Sequence, residues 1–387
     1  MIKKFFDSIR PHFQPGGKLS ALHSVYDGME TFALVPSHTS KSGVSIHDAI
    51  DSKRIMSFVV IALLPALLVG MYNIGYQNYT AAGVEASFFT MFFYGLAVML
   101  PKIVVSYGVG LGIEFVVAQW KKEEIQEGYL VSGMLIPMIV PVGTPLWMIA
   151  CAVAFAVIFA KEIYGGTGMN IFNPALIARA FLFFAWPTQM SGDSVWVSKE
   201  SVFGLGNQLP DAFTAATPLG EAAAGHPITT SLSDMVTGLM PGSIGETSVI
   251  AIAIGAAILL WTRIASWKIM ASVFVGGALV AGLFDFFGAS DNAVAQLGIT
   301  QHLFLGGFAF GAVFMATDPV TSSRTEQGKY IYGFIIGALA VTIRVLNPGY
   351  PEGMMLAILF MNMFAPLIDY IFVQRNINKR LARAQQQ

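Results

Sequence analysis

The chain has 387 residues, 55% hydrophobic and only 12% charged, with mean hydropathy +0.64, whereas an ordinary soluble domain carries about 25% charged residues. Such a balance describes a membrane protein whose core is the bilayer, so soluble-domain arithmetic does not apply. A net charge of −1 removes any global field for nucleic acid, and the single cysteine, Cys151, excludes an internal disulfide and any four-cysteine iron–sulfur or multi-cysteine zinc site built from this chain alone, so a redox centre held here is organic or shared with a partner.

Residues 1–52 are mixed and polar, without the apolar stretch of a signal peptide, so the first spanning helix is expected to stay as an anchor. Within this arm Ile2, Phe5, Phe6, Ile9 and Phe13 share one face at helical spacing, with Lys3, Lys4 and Arg10 beside them, which suits a helix lying along a cytoplasmic surface. Apolar runs able to cross about 30 Å of hydrocarbon follow near 55–74, 87–119, 129–142, 145–160, 172–187, 247–262, 268–287, 301–316, 330–346 and 353–373. Several are shorter than about 20 residues, which predicts tilted or broken helices. With a cytoplasmic N-terminus, the inner segments hold nearly all the basic residues outside the spans, Lys53, Lys121, Lys122, Lys161, Arg263 and Arg324 among them, and the outer ones only Lys199. The positive-inside rule therefore places both termini in the cytoplasm and the loop 188–246 outside.

Ten spans with one long loop after the fifth predict an all-α polytopic membrane protein of two inverted five-helix repeats, 53–187 and 247–374, followed by a basic tail, 375–387. Each repeat ends a helix with a basic residue, passes an Asn-Pro pair (Asn173-Pro174, Asn347-Pro348) and begins another helix, for which Asn suits an N-cap and Pro the first turn.

Ionisable residues inside spans cost about 2.5–3.5 kcal/mol on insertion scales and stand out here as Lys102, Glu114, Arg179, Asp318, Arg344 and Asp369. Singly each reads equally well as structural, Lys102 or Arg179 pinning two helices through a carboxylate and Asp318-Pro319 capping a turn. As a group beside broken helices they point to an ion pathway. The run Gly165–Pro174 is too rich in glycine and polar residues for helix, and unwound backbone at membrane depth lines a cavity or touches a ligand. On the long loop, Thr217 precedes Pro218, which holds it extended with its hydroxyl presented. Composition alone would make that stretch a linker.

The stretches PHFQPGGK (11–18), DSKRIM (51–56), GGTGMNIFNPAL (165–176), RAFLFFAWP (179–187), PGSIGE (241–246), RIASWKIM (263–270), GGFAFGAVFMATDPVTSS (306–323) and 343–370 resemble the NqrB family, membrane subunits of sodium-translocating NADH:quinone oxidoreductases, over nearly the whole chain. RnfD, from the Rnf complex, is the near relative; the N-terminal arm favours NqrB. The resemblance implies membership of a six-subunit complex, with partners NqrA, NqrC, NqrD, NqrE and NqrF in a bacterial inner membrane, that passes electrons from NADH to ubiquinone while sodium is exported. It implies FMN in phosphoester linkage to Thr217, attached by a flavin transferase, with Thr214 and Ala215 standing where the family motif has Ser and Gly. It further implies an unlinked riboflavin at Asn170 and Asn173, a quinone region at Gly108, Gly110, Leu111 and Gly112, where Leu111 replaces a family glycine, and sodium-linked acids at Asp27, Glu114, Asp318 and Asp369. No transition metal is implied. The rival class is a colourless secondary transporter or channel for a polar solute, which bound flavin would exclude.

Overall fold

The computed structural model describes residues 2–14, 16–34, 52–121, 128–287, 292–347, 349–350 and 352–385; Pro15, Asp51, Lys122, Pro348 and Pro351, used above, lie outside these ranges. The regular elements described are all helical. In chain order they are α1 (Ile2–Phe13), α2 (His23–Ala33), α3 (Ser52–Ala81), α4 (Phe88–Lys121), α5 (Tyr129–Met138), α6 (Leu146–Phe155, continued by turns to Tyr164), α7 (Pro174–Ala185), α8 (Pro187–Met190), α9 (Pro218–Ala223), α10 (Leu232–Thr237), α11 (Val249–Trp261), α12 (Trp267–Phe287), α13 (Ile299–Phe304), α14 (Phe308–Phe310, followed by a π turn at Gly311–Met315), α15 (Glu326–Leu346) and α16 (Met354–Gln385). Among the described residues six helices are long and apolar enough to cross a membrane, α3, α4, α6 with its continuation, α12, α15 and α16, and α5, α7 and α11 are shorter apolar helices. The chain is a multi-pass, all-helical membrane protein. Helices prevail because hydrocarbon offers no partner for backbone N–H and C=O groups, so each segment must satisfy its own.

The bundle has two distinguishable ends. At one, the arm packs: Phe13 stacks on Tyr26 at 5.1 Å, the Tyr26 hydroxyl donates to Phe6 O at 2.9 Å, and Arg10 pairs with Glu30. The Ser24 hydroxyl then donates to Gln119 at the end of α4, and Lys53 at the start of α3 donates to Thr31. Phe6 and Phe13 thus face α2, while Ile2 and Phe5 stay exposed. At the other end lies the long loop, where Asn78 of α3 donates to Ser198 O and Asn207 O and the Tyr94 hydroxyl of α4 donates to Glu200 O.

Close approach of α12 and α15 depends on glycine. A Cβ on Gly276 would stand 2.1 Å from Phe334 O, and one on Gly337 would stand 1.9 Å from Val273 O. Small residues at such crossings let backbones touch where no hydrophobic force between helices operates in lipid.

Four sequence expectations need correction. The third run stops at Met138 rather than 142, because Pro137, Pro141 and Pro145 withhold amide donors at successive turns. The eighth run is not one helix: Gly306, at φ 62°, separates α13 from α14. The tenth run continues as α16 to Gln385 rather than ending near 373. Finally, Asn173 caps α7 as expected, its Oδ1 accepting from Ala175 N at 2.9 Å and Leu176 N at 3.4 Å, but Asn347 closes α15 and accepts from Gly349 N. Glycine at 353 rather than the Asn-Pro pair leads into α16.

Candidate functional site

Two cavities are lined by four of the singled-out residues, Thr217 in one and Asn170, Asn173 and Asp318 in the other. The larger, about 370 Å³, lies at the loop end. Thr217 is in its wall, at the N-cap of α9, with Oγ1 accepting from Gly220 N at 3.1 Å and Pro218 opening the helix. The same cavity is lined by Trp196, Phe183 and Tyr350, with Glu246, Thr247 and Glu352 supplying polar edges. Thr247 Oγ1 is buried and finds no partner among the described residues, so the cavity offers an unspent hydroxyl.

Arg179 of α7 anchors this wall. Its Nη1 donates to Glu246 Oε1 at 2.8 Å and its Nη2 to Ser243 Oγ at 3.4 Å and to Glu352. Arg179 thus meets two carboxylates, but both lie in loops, so it ties α7 to loop segments rather than to a second helix. Neither acid stands out in the sequence, because both fall between spans. Residues 240–246 nevertheless dip into the bundle: Asn73 donates to Met240 O, Gly245 N donates to Met138 O, and a Cβ on Gly70 would meet Ile244 O at 2.0 Å. Gly307 lets both acids approach, since a Cβ there would stand 2.7 Å from Glu352 Oε1 and 2.8 Å from Glu246 Oε1. Arg344 is fully buried alongside and donates to three carbonyls, His302 O, Leu305 O and Glu352 O.

The second cavity, about 90 Å³, lies at the arm end and brings together Asn170, Asn173, Asp318 and Lys161. Asn173 Nδ2 donates to Asp318 Oδ2 at 3.2 Å, and Asp318 also accepts from Val320 N and from the Thr321 hydroxyl. Asn170 is spent locally, accepting from Gly168 N and donating to Phe172 O. Lys161 pairs with Glu114 of α4, not Lys102, and Glu114 Oε2 remains buried without a partner among the described residues. Thr167 Oγ1, also lining this cavity, is another such orphan. The volume suits an ion or a few waters. Flavin-sized ligands need about 300 Å³ or more, so riboflavin does not fit the break as it is closed here.

The other acids are apart from this cluster. Asp369 of α16 accepts from Ser323 Oγ, Arg324 N, Thr325 N and Thr325 Oγ1, and so caps α15 in place of a local side chain. Asp27 is half-buried on α2.

The glycine stretch of α4 divides by face. Gly108 and Gly112 are exposed, and a Cβ on either would meet nothing within 4 Å; Leu111 is half-buried, and a Cβ on Gly110 would fall 1.9 Å from the Tyr129 ring. Gly110→Ala is therefore expected to destabilise by about 1–3 kcal/mol through overpacking, while Gly108→Ala folds normally. Thermal unfolding of the two purified variants checks this; equal midpoints would show that the α4–α5 contact yields freely.

The family model described as NQR2, RnfD, RnfE family matches residues 39–378. Among curated proteins, the chain is 44% identical to the B-type subunit of an Na(+)-translocating NADH-quinone reductase from Chromohalobacter salexigens, with 99% of this chain and 96% of that protein covered. It is 41% identical to the B-type subunits of the same reductase from Klebsiella pneumoniae and Neisseria meningitidis serogroup B, each with 99% of both chains covered.

Proposed function

The chain belongs to the NQR2, RnfD, RnfE family, and on that premise we propose that it serves as the NqrB component of a sodium-translocating NADH:quinone reductase, carrying FMN on Thr217. The observation that carries the cofactor assignment is the place of Thr217 in the wall of a 370 Å³ cavity, a volume within the range of small-molecule sites. Trp196 and Tyr350 offer faces for a ring system, and Thr247 and Ser243 offer hydroxyls for its polar edge. Bound there, the flavin supplies reversible uptake and release of electrons. The chain's own part is to hold the ring against the Arg179–Glu246–Glu352 wall and to limit water. Residues 1–38 of the arm precede the family match, yet alignment with the B-type relatives spans 99% of the chain; this favours NqrB over the Rnf-type protein.

Sodium export from the arm end to the loop end is the transport we assign. Lys53, Lys121, Lys161, Arg263, Lys268 and Lys329 gather at the arm end, which supports a cytoplasmic placement of both termini in a bacterial inner membrane. Glu114, Asp318 and Asp369 all fall near predicted inner ends of the second, eighth and tenth spans, which suits uptake, and the small cavity lined by Asp318 and by Lys161, the partner of Glu114, supports that reading for the first two. Asp369 and Asp27 act from positions outside that cavity. The third run breaks after α5 and the eighth between α13 and α14, corresponding places five runs apart, which supports two inverted halves. Ubiquinone is assigned to the stretch of α4 holding Gly108, Gly110, Leu111 and Gly112, of which Gly108 and Gly112 are exposed, and to the arm packed at that helix's end. The partners are NqrA, NqrC, NqrD, NqrE and NqrF, and a flavin transferase. Riboflavin at Asn170 and Asn173 requires the Gly165–Pro174 break to open.

The attachment has a direct test. Thr217→Ala is expected to abolish in-gel flavin fluorescence of this chain and the added FMN mass, and Thr214→Ala to retain both. Fluorescence surviving in the Thr217 variant would overturn the assignment.

A further inference from the structure

Helix α4 carries one buried stripe at four-residue spacing, Lys102, Ser106, Gly110, Glu114 and Ala118. At about 1.5 Å per residue, Lys102 lies about 18 Å from Glu114 along the axis, towards the loop end. There its ammonium is buried and donates to Thr144 O at 3.1 Å, to Pro141 O at 3.3 Å and, closer, to Val142 O. All three carbonyls belong to the break between α5 and α6. The sequence opens this break with Pro137, Pro141 and Pro145. In a helix the missing N–H of Pro145 would serve Pro141 O, which instead accepts from Thr144 N at 3.2 Å, while Val142 O and Thr144 O lie in the unwound stretch itself. Since α5 has 10 residues, it reaches about 15 Å from the arm end, half of about 30 Å of hydrocarbon.

The structural reading of Lys102 pairs it with a carboxylate, and among the described residues its ammonium meets only backbone carbonyls. Three carbonyls in unwound backbone need only neutral donors, such as an amide or water. A full positive charge at mid-depth is the costlier solution, and it fills a ring of oxygens of the kind that holds small monovalent cations at broken transporter helices. Beside the ring, Thr144 Oγ1 is buried and without a partner among the described residues, an oxygen the ammonium leaves unused.

We propose that Pro141, Val142 and Thr144 form a monovalent-cation site on the transport route, which the Lys102 ammonium fills in this conformation and which the transported ion fills when Lys102 withdraws. The ammonium is a tethered competitor: it lets the ion pass towards the loop end only by leaving, and its return closes the site against backflow. This rests on the sodium-pump reading above and adds to it a site between the uptake region around Glu114 and the loop end.

The test uses the intact complex in liposomes, with radioactive sodium uptake and quinone reduction followed together. Wild type must accumulate sodium on NADH oxidation; failure there defeats the pump reading itself, not the assignment of Lys102. In Lys102→Gln, whose amide can still donate to the carbonyls, the sodium moved per quinone reduced is expected to fall at least threefold and the passive sodium leak without NADH to rise. Lys102→Arg keeps a cation in place and is expected to slow transport without added leak. Unchanged sodium per quinone and unchanged leak in Lys102→Gln would overturn the proposal. Loss of assembly in both variants would overturn it as well, assigning Lys102 to holding the break alone.

Discussion

Arg179→Met is expected to destabilise the folded chain by about 3–5 kcal/mol, the cost of leaving buried charge without its partner. Two carboxylates, Glu246 and Glu352, meet this one guanidinium and crowd the same glycine, Gly307. Without it they face each other across the cavity wall with no cation bridging them. Against a typical stability of about 5–15 kcal/mol, that loss should appear as poor complex yield and a lowered unfolding midpoint in detergent. Arg179→Lys should fall between, because an ammonium is a point charge and cannot present the planar fork that reaches two acids and Ser243 at once. Restoring partner balance with Glu246→Gln in the Arg179→Met background should recover part of the midpoint. A midpoint unchanged in Arg179→Met would show that the network contributes nothing to the fold.

What can be read from the sequence follows from where the physics is local. Apolar runs report burial in lipid directly, so α4, α12 and α15 are found close to their expected bounds, while α3 runs on to Ala81, seven residues past its expected end. The Asn173 cap is legible because N-cap chemistry needs only the residue and its next two amides. Glu246 and Glu352 are not, although both lie in distinctive stretches: a search for ionisable groups inside spans passes over loops, and only the three-dimensional path shows residues 240–246 entering the bundle. For Lys102 the structural reading suggests an acid, whereas carbonyls of the break between α5 and α6 take that role. Asn347 repeats the Asn-Pro signal of Asn173 yet ends a helix, since the same dipeptide serves either terminus and only the following residues decide. Thr217 looks like linker by composition; its cap on α9 and its cavity come from the packing of the long loop over the bundle.

The pair of Glu114 and Lys161 allows structure and transport to be separated in one set of variants. Both side chains are buried, and they are bonded through Glu114 Oε1 only, so Glu114→Gln leaves an uncompensated ammonium. That single change is expected to cost about 3–5 kcal/mol and to reduce assembled complex whether or not sodium visits the site. Replacing both members by well-packed apolar residues, Glu114→Leu with Lys161→Met, removes both charges together, and such exchanges are often neutral or stabilising. Yield should then return. The transport reading makes a further demand: Glu114 Oε2 is a buried carboxylate oxygen with no partner among the described residues, and its ion partner Lys161 lines the cavity that holds Asp318. Sodium is a hard cation that takes oxygen ligands, so loss of that oxygen should persist as a defect in the double variant once its yield is restored. Half-activation of quinone reduction is expected to need about tenfold more sodium, equivalent to about 1.4 kcal/mol, with flavin content per chain unaltered. If the double variant regains both yield and the wild-type sodium dependence, the pair is a structural clamp between α4 and the end of the α6 segment, and the uptake route must run through Asp318 without it.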